Sequence, residues 1–360
     1  MTAMLCTCMK PRPMPAISGT EVQMKLSETS IIEGQPGFED TLQIIWFGSA
    51  CHEIRLGKLS VVTDPYVTNG LRFRKLVSNE TRVKETLGML HVPAAVLVNH
   101  SHHDHLLDAH AALSLKGWEN VKLYGGLTSK NIIAGWQQDH VTRRCLDVEP
   151  AGIPFIDSAA GKSSDAPPGY ELKVTAYPGE HAPHAGKSIV LFSDRVTSPY
   201  DKEPDSLDDF KLGEVFNYLI EMKRGDTTFK VFFLGGPGKA TVLPDLAVDV
   251  VILPSPGAKR VDDYPAAHLT RLRPRHIVVN HFNNLFACEP DKARDTQATL
   301  LRIDVADLDY FSREIQDAVM KNEVIHKRFE RLHLPAISTM QSEGKARNVI
   351  HITRKSRTRG

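Results

Sequence analysis

The chain has 360 residues, 41% of them hydrophobic, 24% charged and 7% aromatic, with 44 Lys+Arg against 43 Asp+Glu. That apolar content supports one large core or two ordinary ones, and a formal charge of +1 argues against a broad nucleic-acid-binding surface. No window approaches the roughly 20 apolar residues that cross a bilayer, and five scattered cysteines are too few for a disulfide framework.

Residues 1–40 mix Pro and Gly without a sustained period and are expected to form an irregular arm. Met1 to Pro15 lacks the continuous apolar stretch of a secretory signal, so a cytoplasmic protein is expected. Cys6-Thr7-Cys8 lies in that arm, and no second cysteine pair follows to complete a zinc site. Cys51, Cys145 and Cys288 read as small apolar residues in or near the core. From Leu42 the texture changes. Leu42–Phe47 and Ser60–Thr63 read as strands that end at Gly48 and at Asp64-Pro65. Ala94–Val98 is a continuous apolar run, as expected for a strand buried on both faces. A helix is predicted over Leu106–Trp118, then a strand at Val121–Tyr124.

Gly152–Gly169 reads as a loop, and strands resume at Tyr170–Tyr177, Ser188–Phe192, Phe216–Glu221 and Phe229–Leu234. Lys223-Arg224-Gly225-Asp226 is a hairpin turn between the last two. Val248–Leu253, a helix near Ala266–Leu272 and Ile277–Val279 form a strand–helix–strand unit, and a longer helix is predicted over Ala306–Lys321. Strands alternate with helices in both halves, so the class is α/β. The expected organisation is the arm, one domain over 41–340, and a final strand with a basic tail over 341–360. Arg354–Arg359 in that tail reads as a solvated basic run rather than a nucleic-acid site.

One segment carries chemistry. Asn99-His100-Ser101-His102-His103-Asp104-His105 is a His-x-His-x-Asp-His pattern directly after a buried strand and directly before a helix. Three imidazoles and a carboxylate so close together suit a borderline metal such as zinc. His100 and His102 would face one metal, and Asp104 and His105 a second. By chance the pattern arises in such a chain roughly 0.002 times, which sets it apart from an ordinary solvated loop.

The motif in this context resembles the signature of the metallo-β-lactamase superfamily, most of all the branch with ascorbate-6-phosphate lactonases and N-acyl-phosphatidylethanolamine phospholipase D. The resemblance runs from about Leu42 to Phe286 and includes Trp46-Phe47-Gly48-Ser49-Ala50 and Val61-Val62-Thr63-Asp64-Pro65. It implies an αβ/βα sandwich of four layers, two mixed sheets face to face with helices outside. It also implies further ligands: His181, after Val174–Gly179, would join His100 and His102, with His184 the fallback. His281, ending Ile277–Asn280, would join Asp104 and His105. Asp64 would orient a ligand histidine.

The match has two departures. The early Gly-His of the family is Gly48-Ser49 here, and the turn that usually carries a bridging aspartate reads Leu234-Gly235-Gly236-Pro237, with Gly236 where the carboxylate is expected. Without that anion, two close cations repel with less compensation. The second site would then be weak, empty, filled only with substrate, or bridged by another carboxylate, for which Asp194 is the stand-in. His52 and Glu53 would reach the site mouth or sit on a strand surface. Arg72, Arg74 and Lys75 would hold a substrate phosphate or carboxylate, or form a solvated loop.

The resemblance thus implies a hydrolase in which a metal-activated hydroxide cleaves a phosphodiester, lactone or carboxylic ester in a small molecule or lipid, with Asp104 ligating metal and handling the proton. One or two zinc ions are expected, with manganese or iron as other cofactors. The other readings are a metal-binding scaffold without turnover and a nuclease. The near-neutral charge speaks against the nuclease.

Overall fold

The computed structural model describes residues 33–68, 75–161, 166–282, 299–300, 303–304, 308–333 and 348–353. The first sheet is built by β1 (Thr41–Gly48), β2 (Cys51–Leu56), β3 (Leu59–Thr63), β4 (Ala95–Leu97), β5 (Leu123–Gly125) and β6 (Cys145–Asp147). β2 runs antiparallel to both β1 and β3, and β3 to β6 run parallel. The second sheet holds β7 (Pro154–Asp157), β8 (Tyr170–Pro178), β9 (Phe216–Arg224), β10 (Thr227–Phe233), β11 (Val250–Pro254) and β12 (His276–Asn280). Its β7 to β10 joints are antiparallel and its β10 to β12 joints parallel. After the short pair β13 (Thr299–Leu300) and β14 (Ile303–Asp304), β15 (Arg331–His333) adds in parallel to β12. β16 (Asn348–Thr353) returns to the first sheet beside β1. Each sheet has seven strands of mixed direction.

Alternation along the strands divides the apolar side chains into layers. Leu42 and Ile44 of β1, Ile54 of β2 and Val61 of β3 meet Val174, Tyr218, Ile220 and Phe233 between the sheets. Ile45, Phe47, Val62 and Val96 face outward, onto Val83 of α1 (Glu80–Thr86) and onto Leu106, Ala109 and Leu113 of α2 (His103–Leu106) and α3 (Ala109–Leu113). Ile132 and Ile133 of α4 (Leu127–Ile133) and Val141 of α5 (Asp139–Thr142) extend that layer. On the opposite side, Phe232, Val251, Ile277 and Val279 pack against Leu269 and Leu272 of α6 (Ala266–Leu272) and against Phe311 and Ile315 of α7 (Leu308–Lys321). Phe311, Ile315, Ala318 and Val319 form one helical face of α7 and are its buried residues. Burying Phe311 and Ile315 stabilises this layer by roughly 1.5–3 kcal/mol each. α8 (Glu323–Arg328) follows at once, capped by the Asn322 side chain, which accepts from the Val324 and Ile325 N–H groups. This is the four-layer αβ/βα sandwich expected from the sequence. Among the described residues no helix is long and apolar enough to cross a membrane.

Several local expectations change. The helix predicted over Leu106–Trp118 starts earlier, inside the histidine motif, and breaks between α2 and α3. Ser188–Phe192 is not a strand: only an isolated bridge joins Ala185 to Ile189 there. The strand β2, Cys-His-Glu-Ile-Arg-Leu, lacks an apolar run, yet all six residues are buried because both of its faces are covered. The final strand forms as β16, and the basic run at 354–359 lies outside the described residues.

The topology also fixes where a site can form. β1, β3 and β4 share one direction, as do β8, β10 and β12. The loops that follow their carboxyl ends carry Ser49, Asp64, the histidine motif, His181, Gly236 and His281. Such ends are where ligands settle in α/β sheets.

Candidate metal centre

Two groups of donors meet at this edge. His100, His102 and His181 place one ligand atom each within 4.8 Å of one another, and Asp104, His105 and His281 do the same. These are the six residues anticipated from the motif and the resemblance. His184, the fallback, is in neither group. Its ring stacks on His181 at 4.7 Å and 15°, and its Nδ1 accepts the Leu191 N–H at 3.1 Å.

The first group is a cup of imidazoles. Ring centroids lie 4.9 Å apart for His100–His102, 5.1 Å for His100–His181 and 4.9 Å for His102–His181. His181 directs Nδ1 to the Ala182 carbonyl at 2.6 Å, which leaves Nε2 for the centre. Both ring nitrogens of His100 and Nε2 of His102 are buried without a hydrogen-bond partner among the described residues. Burial, with the His105 and His102 rings beside it, holds His100 well below the usual imidazole range. Burial and His181 do the same to His102, and burial with His184 lowers His181 to about 3. All three are neutral near pH 7, so their lone pairs are available.

The second group is organised around charge. Asp104 Oδ2 lies 3.0 Å from His281 Nε2, and His281 Nε2 is 3.2 Å from His105 Nε2. His105 Nδ1 points the other way, 2.9 Å from Asp64 Oδ2. Burial pulls the His105 pKa down, but the Asp64 and Asp104 carboxylates prevail and raise it above its ordinary value. Burial works to raise Asp104, yet the His105, His103 and His281 rings keep it well below the carboxylate range. Asp64 is itself fixed by the Asn99 N–H, which donates to Oδ1 at 2.7 Å. The partner role expected of Asp64 therefore has its geometry: it sets which nitrogen of His105 faces the centre.

The backbone around this group is strained. Ser49, Asp64 and His281 all have left-handed φ, at 45°, 36° and 60°, a conformation costing of order 1–3 kcal/mol each for such residues. Ser49 ties the three parts together. Its carbonyl accepts from Trp46 Nε1 at 2.9 Å and from the His281 N–H at 3.0 Å, and its hydroxyl donates to the Asp104 carbonyl at 3.1 Å. Sequence reasoning recorded Ser49 only as a departure. The Gly48-Ser49 turn was its sole signal, because the contacts to Asp104 and His281 are long-range.

Gly236 explains itself sterically. A Cβ there would come 2.7 Å from the Glu180 carbonyl oxygen and 3.2 Å from His181 Cα. The turn after β10 thus presses on the backbone that presents His181, and a side chain has no room. Gly257, at φ 75°, supports the same loop from the other side, where a Cβ would meet that of Ala182 at 2.6 Å. Asp194 does not replace the missing carboxylate: it is exposed, 3.7 Å from Lys211, because the strand meant to position it does not form.

Other residues fall elsewhere. His52 is fully buried, its Nδ1 2.9 Å from the Ala50 carbonyl and its ring edge-on to Phe233, and burial lowers it to about 3. Glu53 is equally buried, 3.8 Å from Arg55. Neither lies at a mouth or on a surface. Lys75 is exposed, 3.8 Å from Asp205, and Arg72 and Arg74 lie outside the described residues. Asp108, which sequence reasoning missed, accepts from the Val67 and Thr68 N–H groups and from the Thr68 and Ser78 hydroxyls at 2.6–2.7 Å. It fastens the chain leaving Asp64 to the start of α1.

The donor set suits a cation: three neutral imidazoles in one group, two imidazoles and an ionised carboxylate in the other, with buried nitrogens that have no hydrogen-bond partner among the described residues.

No family model matches the chain, and no curated protein matches it. Solved structures similar to it include Igni18, a metallo hydrolase from Ignicoccus hospitalis, at 16% identity and TM-score 0.47 over 88% of this chain and 100% of that one. The isothiocyanate hydrolase from Delia radicum gut bacteria is 11% identical, with TM-score 0.47, over 87% of this chain and 99% of that one. The metallo-β-lactamase fold protein YhfI from Bacillus subtilis is 11% identical, with TM-score 0.46, over 87% and 99%. Likeness of this size carries no functional weight, so function has to be argued from the donors themselves.

Proposed function

We propose that the protein is a metal-dependent hydrolase of ester-type bonds, a phosphodiester, lactone or carboxylic ester, working on a small molecule or lipid. The observation that carries this is the convergence of His100, His102 and His181 beside Asp104, His105 and His281, with buried imidazole nitrogens that have no hydrogen-bond partner among the described residues. A divalent cation held there, zinc, manganese or iron, supplies Lewis acidity and lowers the pKa of a bound water toward about 7. The chain does the rest. Asp104, kept ionised by the rings around it, would help hold the cation and would accept a hydrogen bond from the attacking water, orienting it. Asp64 holds His105 in the tautomer that turns Nε2 inward. Burial around His100 and His102 keeps both rings neutral and thins competing solvent.

The test is metal content per chain after loading with zinc or manganese, followed by turnover of a panel of phosphodiesters, lactones and carboxylic esters. The expected result is one or two metals in the wild type, one fewer in His102→Ala, and hydrolysis that follows metal content. A chain that takes up no metal, or a His102→Ala variant as active as the wild type, overturns the proposal.

A further inference from the structure

The segment Ser188–Phe192 is apolar enough to be expected as a strand, yet Ile189 and Leu191 are 55% and 47% exposed. It is not a loose loop. The His184 N–H donates to the Ile189 carbonyl at 2.7 Å, and the Leu191 N–H donates to His184 Nδ1 at 3.1 Å. His184 in turn stacks on His181. The far end is fastened as well: the Leu212 N–H donates to the Phe192 carbonyl at 2.6 Å, and the Ser101 N–H, between His100 and His102, donates to the Leu212 carbonyl at 3.0 Å. Phe192 is held at φ 53°, a left-handed conformation that a bulky residue rarely adopts. Exposed apolar surface and backbone strain thus coincide on a segment tied at both ends to the imidazole group. Strain kept in place by its surroundings is characteristic of ligand-contacting segments.

We propose that this tongue, Ile189 to Phe192, receives an apolar arm of the substrate, so that the bond cleaved carries an acyl or aryl group rather than a small polar one. This rests on the metal-hydrolase reading given above. The fastening favours this occupant: through His184, which stacks on His181, and through Leu212 and Ser101, the tongue is continuous with the imidazole group.

The experiment is calorimetric titration of the zinc-loaded full chain with straight-chain hydroxamates from acetohydroxamate to octanohydroxamate, whose chelating head reports the metal and whose tail reports the tongue. The expected result is binding of acetohydroxamate and an affinity that rises about twofold to fourfold per added methylene, the upper figure being that of full burial. The double variant Ile189→Ser, Leu191→Ser is expected to flatten that rise while keeping acetohydroxamate affinity. A wild type with no chain-length gain, or a gain that survives the double variant, overturns the tongue alone. So does a double variant that changes only the oligomeric state, which assigns the surface to a second copy of the chain. A chain that binds neither zinc nor acetohydroxamate overturns the metal reading and this one with it.

Discussion

His100, His102 and His181 meet with no carboxylate among them, whereas Asp104, His105 and His281 gather around one carboxylate and rest on a second, Asp64. The first group is made by burial: its rings are pushed to the neutral state, and their unpartnered nitrogens await an electrophile. The second is made by charge: anions on both sides of His105 favour a positive occupant, proton or metal. The difference teaches that the two halves of one motif, four residues apart, compete with protons very differently. The turn at Gly236, where a bridging carboxylate was expected, has no room for one.

The comparison breaks most sharply at a ligand. His102→Ala is expected to cut metal affinity at the imidazole group by more than about 100-fold, beyond the upper end for outer partners, and to leave the mixed group its own affinity. Equilibrium dialysis with elemental analysis reads both. Asp64→Asn should invert that pattern, weakening only the mixed group by about 10–100-fold; an equal loss at both groups would show that they are one electrostatic unit. A pH titration of metal release sharpens the contrast further. Binding needs a deprotonated ring, and His105 is raised while His181 is lowered to about 3. As pH falls, the cation of the mixed group should therefore leave first.

The metal-free protein carries the same signs. His181, depressed in the fold, contributes stability present above its unfolded pKa near 6.5 and lost as pH falls toward 3. His105, raised in the fold, contributes stability that is lost as pH rises through its folded value. Denaturant melts of the His181→Gln and His105→Gln variants across pH 4–8 should show opposite slopes relative to the wild type. Gly236→Ala is expected to cost about 1–3 kcal/mol through overpacking against Glu180, with loss of metal from the imidazole group as the signature. The smallest effect belongs to Ile189→Ser, exposed at the tongue, whose folding stability should stay within about 0.5 kcal/mol of the wild type.

The sequence by itself determined the candidate donors of the motif. His100, His102, Asp104 and His105 are legible because neighbours in sequence around a strand–helix turn are neighbours in space. His181 and His281 were reached through strand ends that the resemblance supplied. The apolar runs at Leu42–Phe47, Ala94–Val98 and Ile277–Val279 likewise announced strands, since a run buried on both faces has no other plausible use. Only the tertiary structure decided the rest. Cys51–Leu56 became a buried strand because layers on both sides cover its polar residues, and Ile189 and Leu191 stayed exposed because no strand among the described residues pairs with their segment. Ser49 became the knot joining Trp46, Asp104 and His281, and Gly236 became the seat of the His181 loop. Local pattern fixes which side chains can do chemistry. Long-range packing fixes their charge states and what may stand between them, because burial and strain are properties of the assembled layers rather than of any stretch of chain.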